Sequence, residues 1–327
     1  MREFASIAVC LSITCSRASV LQSGSAAIIV MHIVRWKPGP KGACEIDNQA
    51  FERRNGAMRL IVLLMSLVAS ACSSTGTRLD DLAHAAGLAR SIVEGNTFQH
   101  VVYANSDVGT PELIVFLDGD GRPWTSDGRR ASADPTTRNP IALELLTRTD
   151  APAIYVSRPC YQQLMNAGCS PRLWTQARYS DEVIASMTAA IRKVAAARSA
   201  SQIVLVGYSG GGALAVLIAQ RLEHVDAVIT LAANLDIDAW SQYHGYLPLT
   251  ESLNPSLSDH AHPWFEMHFQ GERDANVPAV TTDAYFTRYA TAHRELIDAF
   301  DHACCWVDAW PSLYREVREK MDYHKKE

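Results

Sequence analysis

The sequence predicts an α/β fold: one domain with a mostly parallel central sheet, helices on both faces and a small cap. Three observations lead there. Short apolar runs rich in Val, Ile and Leu alternate with helical patterns from about residue 79 onward, as expected of strands buried on both faces. No internal repeat or low-complexity block interrupts the alternation. The chain has 327 residues, of which 48% are hydrophobic and 20% charged. That supplies a large core and excludes a disordered tail, a collagen-like repeat or a small disulfide-dependent scaffold.

The elements follow in order. Residues 79–93 have helical spacing, 98–103 read as a strand, and 113–117 (LIVFL) form a short apolar strand ending at Asp118-Gly119-Asp120-Gly121. Residues 153–156 are another strand, 181–198 an Ala-rich helix, 203–206 a strand and 213–222 a helix. Strands at 227–231 and 264–269 precede a helix near 280–291, a strand at 296–300 and a final helix at 312–323. Seven or eight such strands fit in about 250 residues as one domain. Residues 233–263 hold three prolines and three aromatics, enough for a small cap over a pocket and too few for a lid domain.

The first part of the chain reads differently. Residues 60–71 (LIVLLMSLVASA) carry no charge and follow Arg53, Arg54 and Arg59. As a helix they would span roughly 18 Å, short of the ~30 Å hydrocarbon core, but they suit the apolar region of an export signal. The run ends in Val68-Ala69-Ser70-Ala71-Cys72, which resembles the lipobox of bacterial lipoproteins. The resemblance implies cleavage before Cys72, lipidation of its thiol, and attachment to the bacterial cell envelope. An ordinary cleaved signal or a buried helix is the alternative. Met58-Arg59 would then be the natural start. The expected organisation is a misassigned, disordered extension (1–57), a signal peptide (58–71), a tether and leading helix (72–94) and a catalytic domain (95–327). A long leader exporting through residues 4–16 is the rival. From Cys72 onward the chain has 22 basic and 31 acidic residues, which argues against nucleic acid or an anionic membrane surface as partner.

Residues 202–222 read QIVLVGYSGGGALAVLIAQRL. Gly207-Tyr208-Ser209-Gly210-Gly211 is a G-x-S-x-G sequence, a weak pattern alone. Between an apolar strand and a helix it becomes a nucleophile elbow, in which a sharp turn lifts Ser209 into a strained conformation at the helix N-terminus. A phosphate loop would need a Gly-Lys-Ser/Thr ending that is missing. The oxyanion of an acyl-transfer intermediate needs two donors. The backbone N–H of Gly210 is one candidate, and Asp120, in the loop after the 113–117 strand, is the other, with Gly119 as its alternative. Asp118-Gly119-Asp120-Gly121 is also similar to the opening of an EF-hand. However, Arg122, Pro123 and Arg129 occupy the positions of a ligand, the turn glycine and the bidentate Glu, so calcium is not expected.

An acid should follow a late strand. Asp274 stands just after the apolar run that ends at Gly271, with Asp236 and Asp238 as alternatives. His302, in AFDHACCW, lies beyond the last strand and completes the chain order Ser, Asp, His. His293, on an expected helix end, and His260 and His262, in a Pro-containing loop, are the other candidates. No metal-ligand spacing occurs, and no cofactor is expected.

Together these residues resemble the α/β-hydrolase superfamily, more narrowly exported bacterial serine esterases, over roughly 95–323. The resemblance implies that Ser209 attacks an acyl carbonyl, His302 serves as base and acid, Asp274 orients His302, and the Gly210 and Asp120 N–H groups hold the oxyanion. Many relatives carry His-Gly where this chain has Asp118-Gly119. The expected substrate is a small-molecule ester. A peptidase, an acyltransferase or a non-catalytic envelope lipoprotein built on the same fold are the alternatives.

In an oxidising compartment Cys160 and Cys169, which bracket a short loop, are expected to bridge. Cys304-Cys305 could form a vicinal disulfide or remain two buried thiols. Trp124, Trp174, Trp240 and Trp264 lie in or beside the segments between strands that would surround the pocket.

Overall fold

The computed structural model describes residues 20–23, 26–29, 75–106, 109, 111–258 and 263–324. The chain divides into two compact units, 1–72 and 73–327. In the first, β1 (Val20–Ser23) and β2 (Ala26–Ile29) form an antiparallel hairpin with Ser23 opposite Ala26, in a region where no strand period is legible in the sequence. The expected signal segment and Cys72 lie outside the described residues.

The second unit is built on an eight-stranded sheet. Its strands are β3 (Ala89–Glu94), β4 (Gln99–Ala104), β5 (Glu112–Leu117), β6 (Ala153–Val156), β7 (Gln202–Tyr208), β8 (Val225–Leu231), β9 (Phe265–Gly271) and β10 (His293–Ile297). They lie in the order β10-β9-β8-β7-β5-β6-β4-β3. Every pair from β10 to β6 is parallel, and β4 and β3 add an antiparallel edge. The helices are α1 (Thr75–Ala85), α2 (Ile141–Thr147), α3 (Asp181–Ala197), α4 (Gly210–Ala219), α5 (Ile237–His244), α6 (Asp283–Arg288) and α7 (Trp306–His324).

The apolar strands follow from this layering. In β5, Leu113, Val115 and Leu117 enter one core with α3 and α4, while Ile114 and Phe116 enter the other with α2 and α7. With both faces covered, the strand has no position for a polar residue, and the period of two disappears into a continuous run. Trp310 of α7 meets the Phe116 ring edge-on at 5.6 Å and donates from its indole N–H to Thr149 Oγ1 at 2.9 Å.

Four elements differ from the expectation. Helical spacing over 79–93 covers both α1 and β3, because the chain reverses at Gly87 (φ +71°) and continues as an exposed edge strand. Such a strand has no buried face to print an alternation, and its register comes from β4. The α2 helix is absent from the sequence reading, since five of its seven residues are buried and apolar and show no helical period. The last strand is at His293–Ile297 rather than 296–300, and His293 begins this strand instead of ending a helix. Phe300 leaves the sheet and packs edge-on against Trp306 at 4.9 Å, so α7 starts six residues before the expected 312.

Candidate active site

The parallel strands deliver their C-terminal ends to one edge of the sheet, where loops of an α/β fold meet ligands. The register places Leu117 beside Gly207, Tyr208 beside Leu231, and Gly271 beside Ile297. The loops after β5, β7, β9 and β10 therefore converge.

Ser209 follows β7 at φ 53°, ψ −124°, outside the regions a non-glycine residue prefers. The turn is this tight because two glycines permit it. A Cβ on Gly207 would stand 2.3 Å from the Gly211 carbonyl oxygen, and one on Gly211 would stand 2.1 Å from that of Leu117. The Ser209 N–H donates to Leu231 O at 2.9 Å, which ties the elbow to the neighbouring strand.

His302 Nε2 lies 3.0 Å from Ser209 Oγ, and Nδ1 lies 2.8 Å from Asp274 Oδ2. A carboxylate only accepts, so Nδ1 carries the proton and Nε2 is left to accept from the serine hydroxyl. The Asp274 side chain is fully buried, and its other oxygen accepts from the Asn276 and Val277 N–H groups, both at 2.8 Å. The His302 carbonyl accepts from the Tyr208 hydroxyl at 2.9 Å and the Trp306 indole at 3.0 Å. Those contacts hold the imidazole loop from two sides. The structure thus brings Ser209, His302 and Asp274 together, across 65 and 28 residues of chain.

The alternatives fall elsewhere. Asp236 caps α5, accepting from Asp238 N and Ala239 N, and Asp238 accepts from Asn254. The α5 cap is joined to the acid loop, since Trp240 Nε1 and His244 Nε2 both donate to Asn276 O, at 2.7 and 2.8 Å. His260 and His262 lie outside the described residues.

The loop after β5 closes the other side. A Cβ on Gly119 would be 3.2 Å from Ser209 Cβ, and one on Gly210 would be 2.0 Å from Asp120 Oδ1. The Gly119 backbone thus abuts Ser209, and the Asp120 side chain lies against Gly210. The Asp120 carboxylate receives Arg158 Nη2, Arg178 Nη1 and the Tyr179 hydroxyl, each at 2.7 Å, and the Asp120 carbonyl receives the Tyr161 hydroxyl at 2.8 Å. Burial alone would raise the Asp120 carboxyl. The two guanidiniums, Arg178 foremost, outweigh that and hold it below the ordinary carboxylate range. Two arginines against one carboxylate leave the cluster with an excess positive charge. At its neighbour Asp118 burial prevails and pushes the carboxyl up to about 7, although the Gly119 and Ala142 N–H groups and the Arg158 charge favour the charged form.

Arg158, Arg178, Tyr179 and Tyr161 were invisible as site residues in the sequence. They follow β6 at no motif spacing, and only the sheet order carries them to Asp120. Cys160 and Cys169 are joined with Cα atoms 5.7 Å apart, and the bridge flanks Tyr161. Cys304 and Cys305 are bonded to each other and are exposed, so the alternative of buried thiols does not hold. Trp174 is buried, whereas Trp124 is 43% exposed.

Residues 164–296 match the family model described as alpha/beta hydrolase fold, a range that holds Ser209 and Asp274 and stops short of His302. With the sheet order above, the match shows that this chain carries an α/β-hydrolase fold. Among solved structures, an esterase of Pyrococcus furiosus superposes with a TM-score of 0.51 at 12% identity, over 72% of this chain and 90% of that one. A bacterial membrane phospholipase A, described as a virulence factor, superposes with a TM-score of 0.50 at 13% identity, over 82% and 99%. At these identities the likeness is one of fold. No protein of curated function matches the sequence significantly.

Proposed function

We propose that the protein is a serine hydrolase that cleaves carboxylic esters. The hydrogen-bonded line from Ser209 through His302 to Asp274, set on a strained elbow at the start of α4, carries the reading. In this mechanism Ser209 Oγ bonds to the ester carbonyl carbon while its proton passes to His302 Nε2. Collapse of the tetrahedral intermediate breaks the carbon–oxygen bond, and the departing alcohol takes that proton. Water then attacks the acyl-enzyme, gives a proton to His302, and the serine leaves with it. The Gly210 and Asp120 N–H groups are the proposed oxyanion donors. The excess positive charge of the Arg158–Arg178–Asp120 cluster has the sign that stabilises an oxyanion nearby. Ester rather than amide cleavage is favoured by the two structural relatives, both named for enzymes of ester substrates.

Export and a lipid anchor at Cys72 belong to the same proposal. Among the described residues no helix is long and apolar enough to cross a membrane, and the Cys160–Cys169 bridge suits an oxidising compartment. Mass spectrometry of natively expressed protein should find a lipid-modified Cys72 as the first residue; a peptide from 1–57 would refute this start.

Fluorophosphonate labelling tests the chemistry. The wild type should label and Ser209→Ala should not. On 4-nitrophenyl esters, Ser209→Ala and His302→Ala should lower turnover by roughly 10⁴–10⁶-fold and Asp274→Asn somewhat less. A folded wild type that does not label would overturn the hydrolase reading.

A further inference from the structure

Directly after the Asp120 loop the chain forms a second feature that the triad does not use. Arg122 N donates to Pro135 O at 2.8 Å, Thr125 N to Arg130 O at 2.8 Å and Ser132 N to Pro123 O at 2.9 Å, and Trp124 pairs with Ala131. The segment 122–138 thereby folds back on itself around a cavity of about 380 Å³. Its walls include Arg122, Arg130 and Arg138, together with Trp124, Ser126 and Ser132.

The three guanidiniums set this cavity apart. Several arginines elsewhere in the domain are ion-paired: Arg158 and Arg178 with Asp120, Arg172 with Glu182 and Glu251, Arg294 with Asp283, and Arg318 with Glu112. Among the described residues none of Arg122, Arg130 and Arg138 has an ion-pair or side-chain hydrogen-bond partner, and Arg122 Nε is buried without an acceptor. A buried donor with no acceptor is costly unless a ligand supplies one. The single acid on the wall, Asp127, is already engaged by Thr125 Oγ1 at 2.5 Å and Arg129 N at 3.1 Å. Three cations against one carboxylate reverse the sign of an otherwise acidic domain, and guanidinium forks match the planar, multidentate geometry of carboxylate and phosphate.

The cavity is also close to the serine. Gly121 (φ +65°) packs so tightly that an added Cβ would meet Pro135 O at 2.1 Å, so the Asp120 loop and the 122–138 segment are in close contact there. Arg122 is three residues from Gly119, whose backbone abuts Ser209, and three residues span at most about 11 Å.

We propose that this cavity is a subsite for an anionic group, a carboxylate or phosphate, carried by the ester on which Ser209 acts. The assignment to substrate rests on the hydrolase reading, and the anion site itself does not. Two measurements on the full chain separate them. In the first, inorganic phosphate is titrated calorimetrically into Ser209→Ala. Binding should appear in the millimolar range and weaken at least ten-fold when Arg122→Gln, Arg130→Gln and Arg138→Gln are added. In the second, the wild type and the triple variant are compared on 4-nitrophenyl hemisuccinate and 4-nitrophenyl butyrate, similar in length and differing in a terminal carboxylate. The ratio of kcat/KM for the hemisuccinate over the butyrate should fall about 10- to 100-fold in the triple variant. Arg130→Gln and Arg138→Gln, both on exposed side chains, serve singly should the triple variant not fold.

No phosphate binding, or binding that the arginine substitutions leave unchanged, overturns the anion site. Arginine-dependent phosphate binding with an unchanged ratio means a free-anion site and overturns the assignment to substrate. A wild type that cleaves neither ester yet binds phosphate through these arginines refutes the hydrolase reading and upholds the anion site.

Discussion

Replacing Asp120 by Asn is the sharpest probe of how the site is held. The carboxylate sits between two guanidiniums whose side chains are 4% and 5% exposed, at 2.7 Å from each, with the Tyr179 hydroxyl also donating to it. Asparagine keeps the shape and the backbone N–H but removes the carboxylate charge that is ion-paired with both Arg158 and Arg178. Its amide also presents donors where an acceptor is needed. Breaking a buried ion pair by removing one partner costs about 3–5 kcal/mol, because the remaining charge stays buried. In a domain of this size about 4 kcal/mol corresponds to a fall of roughly 8–16 °C in the unfolding midpoint. Circular dichroism melts and urea titrations of wild type and Asp120→Asn would measure it. Adding Arg178→Met should restore at least about 1 kcal/mol, since the unpaired charge is removed with it. The pH dependence has a definite sign. A carboxyl held below its unfolded value contributes stability at pH above that value and loses it as pH falls through the folded pKa. Asp120→Asn should therefore flatten the acid side of the stability profile. A midpoint within about 2 °C of wild type, or an Arg178→Met that only worsens the variant, would refute this view of the cluster.

Other consequences follow from the same contacts. Gly210→Ala should abolish activity and destabilise the domain by roughly 1–3 kcal/mol, because the new methyl meets Asp120 Oδ1 at 2.0 Å and the Tyr179 hydroxyl at 2.5 Å; a variant with wild-type turnover contradicts the close approach of these loops. Cys160→Ser with Cys169→Ser should lower stability by about 2.5–3 kcal/mol and also reduce kcat, since Tyr161 beside Cys160 supports the Asp120 carbonyl; unchanged kcat would separate the bridge from the site. His100 is wholly buried, bonded to Ser157 O at 2.9 Å and Ser186 Oγ at 2.9 Å, and burial pushes its imidazole down from 6.5 to about 4. The unfolded chain then takes up a proton near pH 6.5 that the folded chain refuses, so stability is full above that pH. It should fall by up to about 3 kcal/mol as pH drops toward 4; a His100 resonance titrating near 6.5 would exclude this contribution.

Much of the fold and part of the site are legible in residue order because they depend on local physics. A continuous apolar run such as 113–117 or 203–206 states that both faces are covered, whatever covers them. Gly207, Ser209 and Gly211 between such a run and a helix state a turn, because few other sequences survive that close a backbone approach. Edge strands are less legible: β3 and β10 bury little, so their residues follow no period, and pairing with β4 and β9 decides where they begin. The α2 helix fails for the opposite reason, being apolar on almost every side.

Composition and motif spacing were enough for an α/β domain of about 250 residues, for the Ser209, Asp274 and His302 order, and for the Cys160–Cys169 pair. Position in the chain favoured Asp274 and left Asp236 and Asp238 open as alternatives; only the tertiary structure shows which carboxylate meets His302 Nδ1. The same holds for the role of the Asp120 side chain. Its partners Arg158, Arg178 and Tyr179 lie 38 to 59 residues away and meet it because β5 sits between β6 and β7. Local sequence carries propensities and turns, whereas charge partners are chosen by which strand ends are neighbours, a long-range property that no short stretch of chain encodes.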